Sequence, residues 1–151
     1  MPEFRLVEAK PWNCGQMIRR LRAEQAEALA SIGIRSHAEL RARFYESSFR
    51  RAWLVDGRLT GLGGVTGSHL STEGLVWLAL SHDVMRYPRQ TALTARAQLE
   101  EIMATRRRVF TLMFPSDAAS MRWVEFLGFE QVAEQPDWVP PGTVLMAHGK
   151  V

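Results

Sequence analysis

Between Gly74 and Phe129 the residue pattern leaves one economical arrangement: strand, helix, strand, helix. Gly74–Leu80 (Gly-Leu-Val-Trp-Leu-Ala-Leu) is a continuous apolar run of strand length. A helical stretch follows from about Pro88 to Ala104, then a second buried strand over Arg108–Phe114. A second helix is expected over Ser116–Leu127, closed by Gly128-Phe129. Glycine suits the left-handed position after a helix, and the phenylalanine then returns to the core. A strand, a crossover helix and a parallel strand make a right-handed unit. Where such strands splay and face a helix N-terminus, phosphate-bearing ligands commonly bind. The rest of the chain is expected to be organised around that crevice.

Upstream, Phe4–Ala9 reads as a first strand, broken at Lys10-Pro11-Trp12-Asn13. Asn13 can cap a following helix. Met17, Ile18, Leu21, Ala28 and Leu29 stand at helical spacing, which predicts one amphipathic helix over roughly Gln16–Ser31. Ser36-His37-Ala38-Glu39 is a capping box opening a second helix to about Ser47, with Leu40, Phe44 and Tyr45 inward. Arg51–Val55 and about Leu59–Thr66 flank Asp56-Gly57, a strong hairpin signal. Gly61, Gly63 and Gly64 inside the return strand predict a bulge or a close backbone approach. His69–Glu73 reads as a polar turn. Downstream, Gln131–Ala133 and Thr143–His148 are short strands around the loop Gln135–Gly142. The expected fold class is α/β (α+β): residues 1–151 as one domain, with a mixed, mostly antiparallel sheet of about seven strands and four helices.

Composition narrows the function classes. With 46% apolar and 23% charged residues, the 151-residue chain has the profile of an ordinary globular domain. No apolar run is long enough to span a membrane. The opening Met-Pro-Glu-Phe-Arg has no signal-peptide pattern, so a cytoplasmic location is expected. Cys14 is the one cysteine, which excludes an internal disulfide and a multi-cysteine metal site. The four histidines lack metal-ligand spacing. All but two of the 19 basic residues are arginine, the exceptions being Lys10 and Lys150. Arginine forks match phosphate and carboxylate oxygens, although most such charges in any protein are simply solvated. A net charge of +3 does not favour a nucleic-acid partner. Trp53 and Trp77 lie in strands, and Met17, Met85, Met103, Met113 and Met121 are spread through core elements, so they read as packing.

The element order, the hairpin Ala52–Gly61 (Ala-Trp-Leu-Val-Asp-Gly-Arg-Leu-Thr-Gly) and the ending Trp123–Phe129 (Trp-Val-Glu-Phe-Leu-Gly-Phe) resemble the GNAT superfamily of acetyl-CoA-dependent N-acetyltransferases. The resemblance covers nearly the whole chain and implies splayed fourth and fifth strands. It implies acetyl-CoA as cosubstrate and an amine acceptor, small molecule or protein. In that family a turn of the form Gln/Arg-x-x-Gly-x-Gly/Ala follows the fourth strand, and its amides hold the pyrophosphate. Here the stretch is Arg86-Tyr87-Pro88-Arg89-Gln90-Thr91-Ala92. With Arg86 in the Gln/Arg place, Arg89 and Thr91 stand where glycines stand in the family. With Arg89 there, Ala92 and Thr94 do. Pro88 removes one donor. The resemblance places the pyrophosphate at this turn, against Arg86, Arg89, Gln90, Thr91 and Ala92. It places the thioester carbonyl near the amides of Leu80 and Ser81. If Met85, Tyr87 or Arg89 instead filled the crevice, the fold would have kept its shape without its ligand.

In many of these enzymes the helix after the fifth strand carries an Asn near its start and a Tyr further on that protonates the leaving thiolate. Asp117 falls at the Asn place, and Val124 at the Tyr place beside Trp123. Neither Val124 nor Trp123 is a useful proton donor. Candidate general bases are Glu73, His82 and Asp83, with His69 and Tyr45 behind them. A His-Asp pair at a strand end also serves as a turn or cap. A narrower resemblance, carried by Ala28–Ile34, the hairpin and Arg86–Phe129, is to GNAT-like internal virion proteins of short-tailed phages. That resemblance implies a non-catalytic assembly role and a virion location. Strand pairing across a homodimer is a further expectation from the fold.

Overall fold

The computed structural model describes residues 2–31, 33–67 and 72–149. One seven-stranded sheet has the order β1-β2-β3-β4-β5-β7-β6. Its strands are β1 (Phe4–Glu8), β2 (Ser47–Val55), β3 (Arg58–Thr66), β4 (Glu73–Leu80), β5 (Arg108–Met113), β6 (Glu130–Gln131) and β7 (Val144–Gly149). Pairing is antiparallel except between β4 and β5, which run parallel as the crossover requires.

Helices α1 (Trp12–Ile18), α2 (Ala23–Ser31) and α3 (His37–Glu46) cover one face. On it Met17, Leu29, Leu40 and Phe44 pack with Leu62, Trp77 and Ala79. Helices α4 (Pro88–Met103) and α5 (Ala118–Phe126) cover the other. There Leu99, Ile102 and Val124 pack with Val65 and Val109, and Ala95 packs with Trp53 and Leu80. Each such large side chain taken fully from water contributes about 1.5–3 kcal/mol. A buried polar contact helps fix α4 to the sheet, where the Trp53 Nε1–H donates to Gln98 Oε1.

The Asp56-Gly57 turn has φ of +51° and +79°, the primed geometry that matches strand twist. The glycines of β3 serve both expected purposes. Register shifts occur between Trp53 and Leu54 and between Ser47 and Phe49. A Cβ on Gly64 would lie 2.4 Å from the Phe49 carbonyl oxygen. The capping box forms, with the Glu39 N–H donating to Ser36 Oγ and the Arg35 N–H to Glu39 Oε1. Leu40 and Phe44 are buried, whereas Tyr45 is exposed.

Two further expectations change. The single helix over Gln16–Ser31 is two helices, starting earlier, at Trp12, and interrupted at 19–22. The interruption is tertiary: Leu21 bridges to Ser81, and the Arg22 N–H donates to the Leu80 carbonyl. Asn13 also lies inside α1 instead of capping it from outside. Its Oδ1 accepts from the Lys10 N–H at 2.7 Å. The expectations on His69, on the rest of its turn at 68–71, and on the side chains of Ala28 and Met85 fall outside the described residues.

Candidate active site

The parallel pairing of β4 and β5 runs through Glu73↔Arg108, Gly74↔Val109 and Leu75↔Phe110, and goes no further. Each strand continues with its other neighbour, β4 with β3 as far as Leu80 and β5 with β7 as far as Met113. The sheet therefore opens in a V. The β2–β3 ribbon carries two register irregularities, and bulges of this kind increase local strand twist.

Register decides which backbone groups face the gap. The Ser81 N–H donates to the Thr60 carbonyl at 2.9 Å, and Ala79 pairs with Leu62. In an antiparallel ladder these groups alternate sides. The backbone groups of residues 77, 79 and 81 therefore point to β3, and those of Leu78 and Leu80 point away from it, where the Leu80 carbonyl accepts from the Arg22 N–H. Of the two expected thioester contacts, the Leu80 amide points away from β3, to the side on which Leu21 and Arg22 pair with the end of β4. The Ser81 amide does not, because β3 takes it, and the Ser81 hydroxyl accepts from the Asp83 N–H. Leu78, which no single-sequence signal marked, presents an unpaired strand edge inside the sheet.

A cleft of about 270 Å³ passes through this gap. On the α4/α5 side its walls include Leu78, Leu80, Pro88, Thr91, Asp117, Ser120 and Trp123. On the α2 side they include Arg22, Leu29, Leu75 and Leu112. Tyr87 does not fill it. Its ring packs edge-on against Phe4 with centroids 5.8 Å apart. Arg86 and Arg89 are exposed.

At the cleft's α4 end, a 3₁₀ turn over His82–Arg86 leads into α4 with Tyr87 as N-cap and Pro88 first in the helix. No side chain caps this end. The Thr91 N–H donates to the Tyr87 carbonyl, which leaves the Arg89 and Gln90 amides directed out of the helix end. Thr91 is buried, and its hydroxyl donates to the Val84 carbonyl at 3.2 Å, tying the 3₁₀ turn to α4. It thus shapes the wall. Ala92 is half-buried and does not line the cleft.

Asp117 is the N-cap of α5. Its Oδ1 accepts from the Ser120 N–H at 3.2 Å and its Oδ2 from the Ser120 hydroxyl at 2.6 Å. Val124 is buried, and both it and Trp123 form part of the wall. Glu73, His82 and Asp83 do not line the cleft. Glu73 lies at the paired end of β4, where its carbonyl accepts from Arg106 Nη1 at 3.1 Å. His82 is exposed on the 3₁₀ turn, and the neighbouring Asp83 pairs with Arg58 at 3.5 Å. Among the described residues there is no cluster of metal-ligating side chains. No helix among them is long and apolar enough to cross a membrane.

No family model matches the chain, and no curated protein matches it in sequence. Solved structures match it closely in shape. The aminoglycoside acetyltransferase AAC(6')-Ib, in complex with ribostamycin and coenzyme A, superposes with a TM-score of 0.72 at 15% identity, over 98% of this chain and 94% of that one. The PaiA N-acetyltransferase of Thermoplasma acidophilum, in complex with coenzyme A, gives 0.71 at 12% identity, over 98% and 99%. A GNAT-family acetyltransferase of Bacillus anthracis gives 0.69 at 11%, over 98% and 96%. The fold is the GNAT fold. Its splayed β4–β5 pair and the helix starting at Pro88 stand where the resemblance in the sequence put them. The narrower likeness to phage internal virion proteins concerns role, on which a shared GNAT fold does not bear.

Proposed function

We propose that the protein is an acetyl-CoA-dependent N-acetyltransferase. The observation that carries this reading is the through-sheet cleft, open in the V and bordered by the unpaired edge of Leu78. The pantetheine arm of coenzyme A is a chain of amides, and a free strand edge is the surface that recognises an extended amide chain. The pyrophosphate would meet the uncapped end of α4, where the Arg89 and Gln90 amides and the helix dipole favour negative charge. Arg86 and Arg89 side chains supply the charge-assisted contacts that glycine-borne amides supply elsewhere in the fold. Structural neighbours of this fold hold coenzyme A, which supports the same reading.

Acetyl-CoA supplies an activated acyl carbonyl. The chain's contribution is to hold it in a narrow, largely apolar passage and admit an amine from the α2 side. The Leu78 amide faces the gap and is the candidate donor to the carbonyl oxygen. With Val124, which carries no donor, in the wall, the thiolate leaves toward water-borne protons. With Glu73 and His82 outside the cleft walls, proton removal from the amine runs through solvent.

Calorimetric titration with acetyl-CoA tests the reading. Binding in the micromolar range is expected, weakened about tenfold or more in an Arg86→Ala/Arg89→Ala variant by loss of charge-assisted contacts. No heat and no thermal shift at millimolar acetyl-CoA would remove it and favour a non-catalytic GNAT-like protein.

A further inference from the structure

Resting on the acetyltransferase reading, we infer that Trp123 is a catalytic residue. Its indole N–H donates a hydrogen bond to the coenzyme A sulfur and stabilises the departing thiolate without giving up its own proton. The wall that α5 presents to the cleft carries this inference.

Helical spacing sets one face of α5 along the passage. The N-cap Asp117 and then Ser120, Trp123, Val124 and Leu127 all line the cleft. The Trp123 side chain packs against the cluster of Trp53, Leu80, Val84 and Ala95, so it reaches from α5 across to the end of β4 and the 3₁₀ turn. The other enclosed tryptophans spend their N–H on a partner. Trp53 donates to Gln98 Oε1, and Trp77 donates to Ser47 Oγ at 2.8 Å. Trp123 is half-buried, and among the described residues its N–H has no protein acceptor. No enclosed side-chain nitrogen or oxygen among them lacks a partner, so this N–H is open to solvent. The hydroxyls beside it are committed, that of Ser120 to Asp117 and that of Thr91 to the Val84 carbonyl. Thr111 also lines the cleft, but it lies one residue past the last β4–β5 pair, at the closed end of the V.

The position along the ligand follows from the two ends already placed. With the acyl carbonyl at the Leu78 amide and the pyrophosphate at the start of α4, the sulfur lies between them, on the pantetheine side of the carbonyl carbon. Trp123 packs along that stretch, beside Leu80 and Val84. In the transfer, the amine nitrogen bonds to the acyl carbon, the carbon–sulfur bond breaks and its electron pair goes to sulfur. A thiolate in a largely apolar passage has lost its hydration, and a fixed N–H replaces part of it. Hydrogen bonds to an ionised acceptor are stronger than those to a neutral one, so the contact tightens as charge develops on sulfur. The indole keeps its proton, and the proton released by the amine passes through water to the thiolate.

The test uses the full chain after binding of acetyl-CoA and coenzyme A has been measured by calorimetry. The Trp123 indole N–H resonance is followed by heteronuclear NMR in the wild-type chain. It should move downfield on adding coenzyme A and stay nearly in place with an analogue that lacks the sulfur. The thiol of bound coenzyme A is then titrated through the ultraviolet absorbance of its thiolate, in the wild type and in Trp123→Phe. That variant keeps a ring against Leu80 and Val84 and loses the N–H. Arg22 and Asp117, the charged wall residues among those described, are present in both proteins. The bound thiol should titrate about one pH unit lower in the wild type, a tenfold stabilisation of the thiolate and the low end for a hydrogen bond to a charged group. Acetyl-CoA affinity should differ little between the two. An equal resonance shift with both ligands, no shift with coenzyme A bound, or identical thiol titrations would overturn the contact with sulfur, and the cofactor reading would stand. Absence of binding by calorimetry instead removes the reading on which the inference rests.

Discussion

Cys14 shows how far burial alone can set a side chain's chemistry. Its thiol is fully enclosed in α1. Burial pushes its pKa from 9.0 up to about 11, against the smaller opposing influence of Arg41 and Arg50. The unfolded chain releases this proton near the ordinary value while the folded chain keeps it. The folded state therefore binds more protons in this window, and stability falls as pH rises from about 9 to 11. Urea midpoints measured at pH 8 and pH 10.5 should show a drop of about 1–3 kcal/mol that is reduced in Cys14→Ala. An equally steep drop in that variant would assign the effect to other groups. Gly64 is governed by space instead. An added Cβ would stand 2.4 Å from the Phe49 carbonyl oxygen and 3.2 Å from the Trp77 ring. Gly64→Ala should cost about 1–3 kcal/mol in denaturant unfolding, because backbone, not a flexible side-chain end, must move. A cost near zero would mean that the β2–β3 ribbon relaxes freely at its bulge.

Among the elements, α5 links stability to the site most directly. Its start depends on Asp117, which accepts both the Ser120 amide and the Ser120 hydroxyl. Its end is a Schellman closure: the Phe129 N–H reaches the Val124 carbonyl, the Gly128 N–H reaches Glu125, and Gly128 has φ +94°. Asp117→Ala should lower stability by about 1 kcal/mol and loosen the wall that carries Ser120 and Trp123, weakening acetyl-CoA binding. Asp117→Asn retains a capping oxygen and should restore most of both. Loss of binding in Asp117→Asn with stability intact would show that the carboxylate charge itself matters. The same scale explains the broken N-terminal helix. Met17, Ile18, Leu21 and Leu29 all pack on one core as helical spacing predicts. Yet the strand end at Leu80-Ser81 offers Leu21 and Arg22 a better set of backbone partners than another helical turn would.

For the whole molecule, the V is a property of two half-sheets that share a short seam. β1–β4 and β5–β7 meet through three parallel residue pairs, and the cleft begins where those pairs stop. A ligand held across the seam joins the halves. Acetyl-CoA at about 100 times its dissociation constant should therefore raise stability by about 2.7 kcal/mol, read as a higher melting temperature. The Arg86→Ala/Arg89→Ala variant should gain less at the same concentration. An equal gain in both would move the pyrophosphate away from the start of α4.

Much of this architecture is local and was legible in the sequence. Continuous apolar runs marked β4 and β5, Asp56-Gly57 marked the hairpin, Ser36–Glu39 marked the start of α3, and Gly128-Phe129 marked the end of α5. Each is a short-range signal, since turn geometry, capping and burial of a strand are decided by neighbours in sequence. The resemblance carried by those pieces gave the fold, and the place where β4 and β5 part with it. The site residues were legible only in part. Leu80, Thr91 and Asp117 do line the cleft, and the amides of Arg89 and Gln90 stand at its end. Ser81, Ala92, Glu73 and His82 are turned to other partners or placed outside its walls. Leu78, Ser120, Trp123 and Arg22 enter the walls for reasons no local pattern records. Strand register decides which amides face a gap. The point where β4 and β5 part depends on pairing with β3 and β7, and the break before α2 depends on the far end of β4. Those are contacts between residues distant in the chain, and only the tertiary structure fixes them.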